Sequence, residues 1–237
     1  MSNFILETVS LNKTFGSIKA LQNFNLNASR GEIIALLGPN GAGKSTLMNM
    51  ISGFLNPTSG KILVFGKDIS QNPQKAKAQI GFLPEGAPIY PDMSVKMFLK
   101  YMADLRNVSE ENLQEAIELA HIKEVLFQKV ETLSKGYLRR VGFAQSILGN
   151  PPILLLDEPT DGLDPNQKEY MRRLISSMSK DKTILISTHL LDEAEALCSR
   201  IILISHGKMM IDGACADILK KTKTKSLEEA FKKLTQD

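Results

Sequence analysis

The chain has 237 residues, of which 43% are hydrophobic and 23% charged, with 16 Gly and 10 Pro. This is ordinary globular composition and excludes a disordered, collagen-like or low-complexity chain. The formal net charge of +3 carries no strong basic excess of the kind a nucleic-acid binder presents. Two cysteines, Cys198 and Cys215, are too few for a disulfide framework and form no C-x-x-C, so they read as reduced thiols. The opening residues lack a basic region followed by an apolar core, which argues against a signal peptide. No apolar run reaches 18 residues, so no segment is expected to span a membrane.

Residues 4–30 alternate short apolar runs with turns and predict strands. Residues 32–37 form an apolar run that predicts a strand covered on both faces, ending at Gly38. A helix is predicted over 44–51 and strands over 61–65 and 79–83. From 94 to 149 the periodicity turns helical. Val95, Phe98, Leu99, Met102 and Leu105 make one apolar stripe, and Leu113, Ala116, Ile117 and Ala120 another. Ser94 and Ser109 are candidate N-caps. Asn150-Pro151-Pro152 closes this block. Strand and helix then alternate: strand 153–156, a helix starting at Asp164-Pro165, strand 183–187, helix 190–197 and strand 200–204. A hairpin turn at His206-Gly207 leads to strand 208–211, and two short helices end the chain. The expected architecture is an α/β core with a mostly parallel sheet, interrupted by an all-helical insertion.

Gly38-Pro39-Asn40-Gly41-Ala42-Gly43-Lys44-Ser45 fits G-x-x-x-x-G-K-[ST] at every position, and Thr46 follows it. Glycines let successive backbone N–H groups converge on phosphate oxygens, and the helix that starts here aims its positive end at the same anion. Lys44 would reach the β- and γ-phosphates and Ser45 would ligate Mg²⁺. Downstream, Ile153-Leu154-Leu155-Leu156-Asp157-Glu158 is a buried strand that delivers two acids at its carboxyl end, where ligands of open α/β sheets bind. Asp157 is expected to hold Mg²⁺, and Glu158 to act as general base on the attacking water.

Three further stretches narrow the class: Leu133-Ser134-Lys135-Gly136-Tyr137, Pro159-Thr160-Asp161-Gly162-Leu163-Asp164-Pro165, and Ser187-Thr188-His189. With the two motifs above, the chain resembles over essentially its whole length the ATP-binding subunit of ABC transporters. That resemblance implies a P-loop NTPase fold (RecA-like) with an N-terminal antiparallel β region and an inserted helical subdomain. It divides the chain into core at 1–85 and 150–220, helical signature subdomain at 86–149 and C-terminal helix at 221–237. It implies ATP and Mg²⁺ as cofactors, Glu158 as catalytic glutamate, His189 as the switch residue on the γ-phosphate and Asp164 in the loop that crosses to a second subunit. Ser134 and Gly136 would contact ATP held by that subunit, in a dimer on ATP binding, and Phe15 would stack on adenine. Glu85 stands where the family has a Gln that ligates Mg²⁺; it can ligate too but adds negative charge. The signature departs from Leu-Ser-Gly-Gly-Gln at Lys135 and Tyr137.

The resemblance further implies ATP hydrolysis that powers a separate membrane permease, with the subunit at the cytoplasmic membrane face and no nucleic-acid partner. The Leu-Pro-Glu loop and the Leu-Ser-Lys-Gly-Tyr form resemble the short exporter branch, and residues 88–106 are the expected docking surface. The rival expectation is a soluble relative acting on ribosomes or nucleic acid. Asn12-Lys13 begins like a guanine-reading Asn-Lys-x-Asp, but Phe15 ends that reading. His121 and His206 have no second ligand at a metal spacing. Lys220, Lys221, Lys223 and Lys225 read as a solvated helix end, with contact to acidic lipid headgroups as the alternative.

Overall fold

The computed structural model describes residues 4–86 and 90–235. The extreme N-terminus, the first part of the expected docking segment at 87–89 and residues 236–237 lie outside the described residues.

The described chain builds two sheets. Strands β1 (Leu6–Phe15), β2 (Ile18–Ala28), β4 (Ser59–Val64) and the short β5 (Lys67–Asp68) form an antiparallel sheet in the order β2-β1-β4-β5. The second sheet holds six strands in the order β10-β9-β3-β8-β7-β6. They are β3 (Ile33–Leu37), β6 (Ile80–Leu83), β7 (Ile153–Asp157), β8 (Thr183–Thr188), β9 (Arg200–Ser205) and β10 (Lys208–Gly213). All pairs in it are parallel except the edge hairpin β9-β10, whose turn places His206 and Gly207 at φ 47° and 73°. Every residue of β3, β6, β7 and β8 is buried, which is why these strands read as unbroken apolar runs rather than alternating ones.

Helix α1 (Lys44–Ile51) follows β3 and packs Leu47, Met48, Met50 and Ile51 between the sheets. Helix α2 (Pro73–Ala78) was not expected: it buries no residue, so no periodicity announces it, and it rests on Asn72 as N-cap and Pro73 at its first turn.

Between β6 and β7 come α3 (Val95–Leu105), α4 (Glu110–Leu119), two single 3-10 turns and α5 (Lys135–Ile147). Ser94 and Ser109 cap α3 and α4 through their hydroxyls, as expected. The predicted stripes face inward, except that Leu105 points outward at 60% exposure, past the last inward turn at Ala103. Helices α6 (Pro165–Met178) and α7 (Leu191–Leu197) complete the parallel core. Helices α8 (Cys215–Thr222) and α9 (Leu227–Thr235) cover its β9 side through Ile218, Leu227 and Ala230. Cys198 and Cys215 are free, and burial pushes the Cys198 thiol up to about 12.

One contact sets where α5 sits. A Cβ on Gly81 of β6 would lie 2.0 Å from the Ser146 carbonyl oxygen of α5 and 2.7 Å from Leu154 Cδ2. Main chain meets main chain there, so no flexible side chain can yield. Gly81→Ala should therefore separate α5 from the sheet and destabilise the fold by at least about 2 kcal/mol, read as a drop in thermal midpoint. A wild-type midpoint would refute the close packing.

Candidate functional site

The carboxyl ends of β3, β7 and β8 lie side by side, with Leu37 opposite Thr188 and Asp157 opposite Ser187. The loop leaving β3 is wedged from behind. A Cβ on Gly38 would meet the Ile204 carbonyl oxygen at 2.2 Å, and one on Gly43, at φ 108°, would meet that of Ala20 at 2.5 Å. The Ala42 carbonyl accepts from the Gly207 N–H at 3.0 Å, so the edge hairpin of β9 and β10 braces the loop.

Helix α1 then starts with no side-chain cap and no acid in its first turn, leaving its leading N–H groups open to an anion. Lys44 is buried, and its Nζ donates to the Gly38 and Pro39 carbonyls at 2.6 and 3.1 Å. Burial lowers its pKa, and the charges of Glu158, Asp157 and Glu85 oppose that. Such an ammonium is poised to exchange carbonyls for a stronger anionic partner.

A cavity of about 430 Å³ opens in front of this loop. Its walls include Asn40, Gly41, Gly43, Lys44, Ser45, Thr46, Glu85, Asp157, Glu158, Asp161, Ser187 and His189. Most of the residues singled out in the sequence converge here. Gly38, Pro39 and Ala42 of the same loop do not line the cavity, and the first two offer Lys44 their carbonyls.

Asp157 ends β7 and is buried. Glu158 turns off the strand at φ 51°, a region costly for a residue with a Cβ and frequent at functional sites. Its N–H donates to the Ser187 carbonyl at 2.9 Å, and its Oε1 lies 2.8 Å from His189 Nδ1. The Ser187 hydroxyl is fully buried and has no hydrogen-bond partner among the described residues.

No cluster of three or more His, Cys, Asp or Glu suited to a metal occurs among the described residues. Mg²⁺ does not need one, since it takes one or two carboxylates and completes its shell with waters and phosphate oxygens. Ser45, Asp157 and Glu85 on one wall, beside an unpaired hydroxyl and an uncapped helix start, fit that demand.

Four expected residues lie elsewhere. Phe15 ends β1, about half exposed, with Lys13 Nζ 4.9 Å from its ring centre. Ser134 caps α5, accepting from the Tyr137 N–H at 3.3 Å, and Asp164 caps α6, accepting from Gln167 N–H at 2.9 Å. Gly136 packs against the turn that ends at Asp164: a Cβ there would lie 3.1 Å from Gln167 Oε1 and 3.4 Å from the Gly162 carbonyl oxygen. Ser134 and Asp164 thus cap two helix starts at exposed positions, joined through the buried Gly136, and none of the three lines the cavity.

Sequence reasoning missed a buried layer behind the wall. Glu193 of α7 is 3% exposed. It accepts from the Thr160 hydroxyl and, at 3.1 Å, from that of Thr188, and Arg172 Nη2 lies 3.8 Å away. Thr160 follows the Asp157-Glu158-Pro159 turn and Thr188 precedes His189, so one carboxylate ties together the two loops that carry Glu158 and His189. The acid four residues beyond His189 was a visible signal, but an acid in a short helix ordinarily faces water.

The chain carries a match to the family model described as ABC transporter over residues 21–161. That span holds the phosphate loop, Glu85, Ser134, Gly136, Asp157 and Glu158. The chain belongs to the ABC transporter family.

Relatives agree with this ABC assignment. The bacitracin transport ATP-binding protein BcrA of Bacillus licheniformis is 36% identical over 227 residues, covering 94% of this chain and 74% of its own. The probable multidrug ABC transporter ATP-binding protein YbhF of Escherichia coli is 33% identical over 243 residues, covering 98% of this chain; the chain spans 42% of YbhF's length. A solved ATP-binding subunit of an ABC transporter shares 28% identity at a TM-score of 0.91, covering 98% of this chain and 100% of that one. A dimeric ATP-binding cassette in a post-hydrolysis state, bound to ADP and Pi, shares 26% identity at a TM-score of 0.82, covering 88% and 98%. The fold is that of these ABC ATPases, a P-loop α/β core with a helical insertion.

Removing the Glu193 carboxylate tests the buried layer. Glu193→Ala leaves two buried threonine hydroxyls without their acceptor, while Arg172 keeps Asp192 at 3.3 Å, and should cost about 2–4 kcal/mol of stability. In Glu193→Gln the fold should survive while turnover falls more than ATP affinity does. Equal thermal midpoints for wild type and Glu193→Ala would show that the tie does not exist.

Proposed function

We propose that this chain binds and hydrolyses ATP to power a separate membrane permease of the exporter kind, working as an ATP-sandwich dimer at the cytoplasmic membrane face. The observation that carries this reading is the cavity in which a buried lysine and an uncapped helix start face the Glu158–His189 pair. The amides of residues 40–46 and Lys44 hold the β- and γ-phosphates, and Phe15 stacks on adenine. Ser45, Asp157 and Glu85 are the residues that would hold Mg²⁺, whose charge neutralises the phosphate oxygens when bound. Glu158 takes a proton from the water that attacks the γ-phosphorus, as the bond to the β–γ bridging oxygen breaks and ADP leaves with that oxygen. Donating from both ring nitrogens, His189 would bridge that carboxylate, through Nδ1, and a γ-phosphate oxygen, through Nε2.

The exposed helix starts at Ser134 and Asp164 suit a second copy. The first offers the start of α5 to an anion from outside, and one relative of known structure is a dimer. Export is supported by the names of relatives, multidrug for one and bacitracin transport for another. No helix among the described residues is long and apolar enough to cross a membrane, so a membrane task is assigned to a partner.

The docking surface is placed on α3, whose inward stripe leaves Met97, Tyr101 and Leu105 exposed at four-residue spacing, with Tyr90 edge-on to Tyr101 at 5.6 Å. An exposed apolar row of this kind marks a protein contact.

Glu158→Gln should retain ATP binding and lose roughly 10²-fold or more of hydrolysis, with the ATP-bound dimer accumulating in size-exclusion chromatography. Turnover near wild type would remove Glu158 from its role. Lys44→Ala should lower nucleotide affinity in calorimetric titration, and Ser134→Arg should prevent the dimer while each copy still binds ATP. A Ser134→Arg protein that dimerises normally would refute the sandwich.

A further inference from the structure

Arg139 lies on α5, five residues beyond Ser134, and is 6% exposed. A guanidinium so deeply buried needs partners, and it ordinarily finds a carboxylate. Among the described residues none lies within ion-pair distance of Arg139. Its partners are main-chain carbonyls: Nη1 donates to Pro84 at 2.8 Å and to Glu85 at 3.2 Å, and Nη2 to Glu158 at 2.5 Å. Its Nε is buried without a partner among the described residues.

Those carbonyls belong to the two segments that carry Glu85 and Glu158. Glu158 leaves β7 in a left-handed conformation, so the place of its carbonyl decides where its carboxylate departs from the main chain. The same guanidinium holds the turn of Glu85. One side chain on the helix capped by Ser134 thus clamps both acidic segments from behind.

The charge matters as well. The cavity wall carries Glu85, Asp157, Glu158 and Asp161 against Lys44. Lys135 pairs with Asp161 at 2.8 Å, which leaves three acids facing one lysine where a triphosphate must enter. Arg139 stands behind them. Burial pulls its pKa down, and Asp157, Asp161, Glu158 and Glu85 all act to raise it, so it feels the field of the whole cluster.

We propose that Arg139 is a positioning residue for hydrolysis: it pins the main chain of Glu158 and of the 84–85 turn to α5, and its charge offsets that of Glu85 beside the phosphates. This rests on the reading of the cavity as an ATP site. A guanidinium that merely satisfies three carbonyls would be a packing element and would show no charge coupling to Glu85.

The experiment uses the full chain with Arg139→Gln, Arg139→Lys, Glu85→Gln and the double variant Arg139→Gln/Glu85→Gln. ATP affinity is measured by calorimetry in EDTA, and turnover with Mg²⁺. Arg139→Gln should weaken ATP binding in EDTA by about tenfold, the effect of one uncovered charge roughly 10 Å away at an effective dielectric near 20. Adding Glu85→Gln should return the affinity to within about threefold of wild type, since like-for-like removal restores the balance. Arg139→Lys should keep the affinity but lower kcat by about tenfold or more at unchanged KM, because an ammonium on a flexible stem cannot reproduce the guanidinium fork.

A double variant that binds ATP no better than Arg139→Gln, or wild-type kcat in Arg139→Lys, would overturn the proposal. Should Arg139→Gln not fold, Glu85→Gln alone decides: it should tighten ATP binding in EDTA severalfold, and unchanged affinity would overturn the proposal. Lys44→Ala is titrated in parallel. If it binds ATP like wild type, the ATP-site reading falls and this proposal with it; if it loses ATP while Glu85→Gln fails to restore the affinity lost in Arg139→Gln, the proposal alone falls.

Discussion

Burial of charge against fully apolar strands governs this molecule. Strands β3, β7 and β8 have no exposed residue, and their neighbouring carboxyl ends release a lysine-bearing loop, a pair of acids and a histidine into one cavity. Each of these groups would be cheaper in water. They stay because the parallel register fixes where the strands end, and the register is held by the apolar packing on both faces of the sheet. The cavity is a region where desolvation has been accepted and left partly uncompensated. Lys44 turns to the carbonyls of its own loop, and the Ser187 hydroxyl has no partner among the described residues. An anion with a hard cation would complete both, which is why the fold and its chemistry share one place.

Behind the wall, two buried charged groups do different work. Glu193 gathers hydroxyls from the two loops that flank the acids and the histidine, so those loops must move together or not at all. Arg139 gathers carbonyls, which fixes backbone position, and its charge acts on the acids through space rather than through an ion pair. A carboxylate–guanidinium pair in either place would have been more self-contained and would have coupled less to its surroundings.

The strands of the core, the start and end of α1, the caps at Ser94 and Ser109, the start of α6 at Asp164-Pro165 and most of the cavity wall were legible in the sequence. In each case local physics and global structure point the same way: an unbroken apolar run, a glycine-rich turn, a hydroxyl or carboxylate ahead of a helical stripe. Helix α2 escaped because nothing in it is buried. Arg139 escaped because α5 is buried almost all round, so its pattern does not separate a core-facing arginine from a surface one. Glu193 escaped for a related reason, since only the threonines brought to it by two distant loops make its burial tolerable. Groups whose partners come from far along the chain leave little local trace.

The departures from the commonest family signature show the same logic at smaller scale. Lys135, where a glycine is usual, reaches Asp161 and packs over Gly162, so the start of α5 and the turn before α6 become one unit. Tyr137, where a glutamine is usual, donates its hydroxyl to Glu124 and lies under the Arg140 guanidinium, 4.3 Å from the ring centre. Neither replacement touches the Ser134 hydroxyl or the close approach at Gly136, the two features that depend on a small side chain or an oxygen at a set place. Both replaced positions in this chain carry side chains that find a partner within the chain. Substitution at Lys135 and Tyr137 therefore changes how rigidly the signature surface is mounted and leaves its offered atoms as they are.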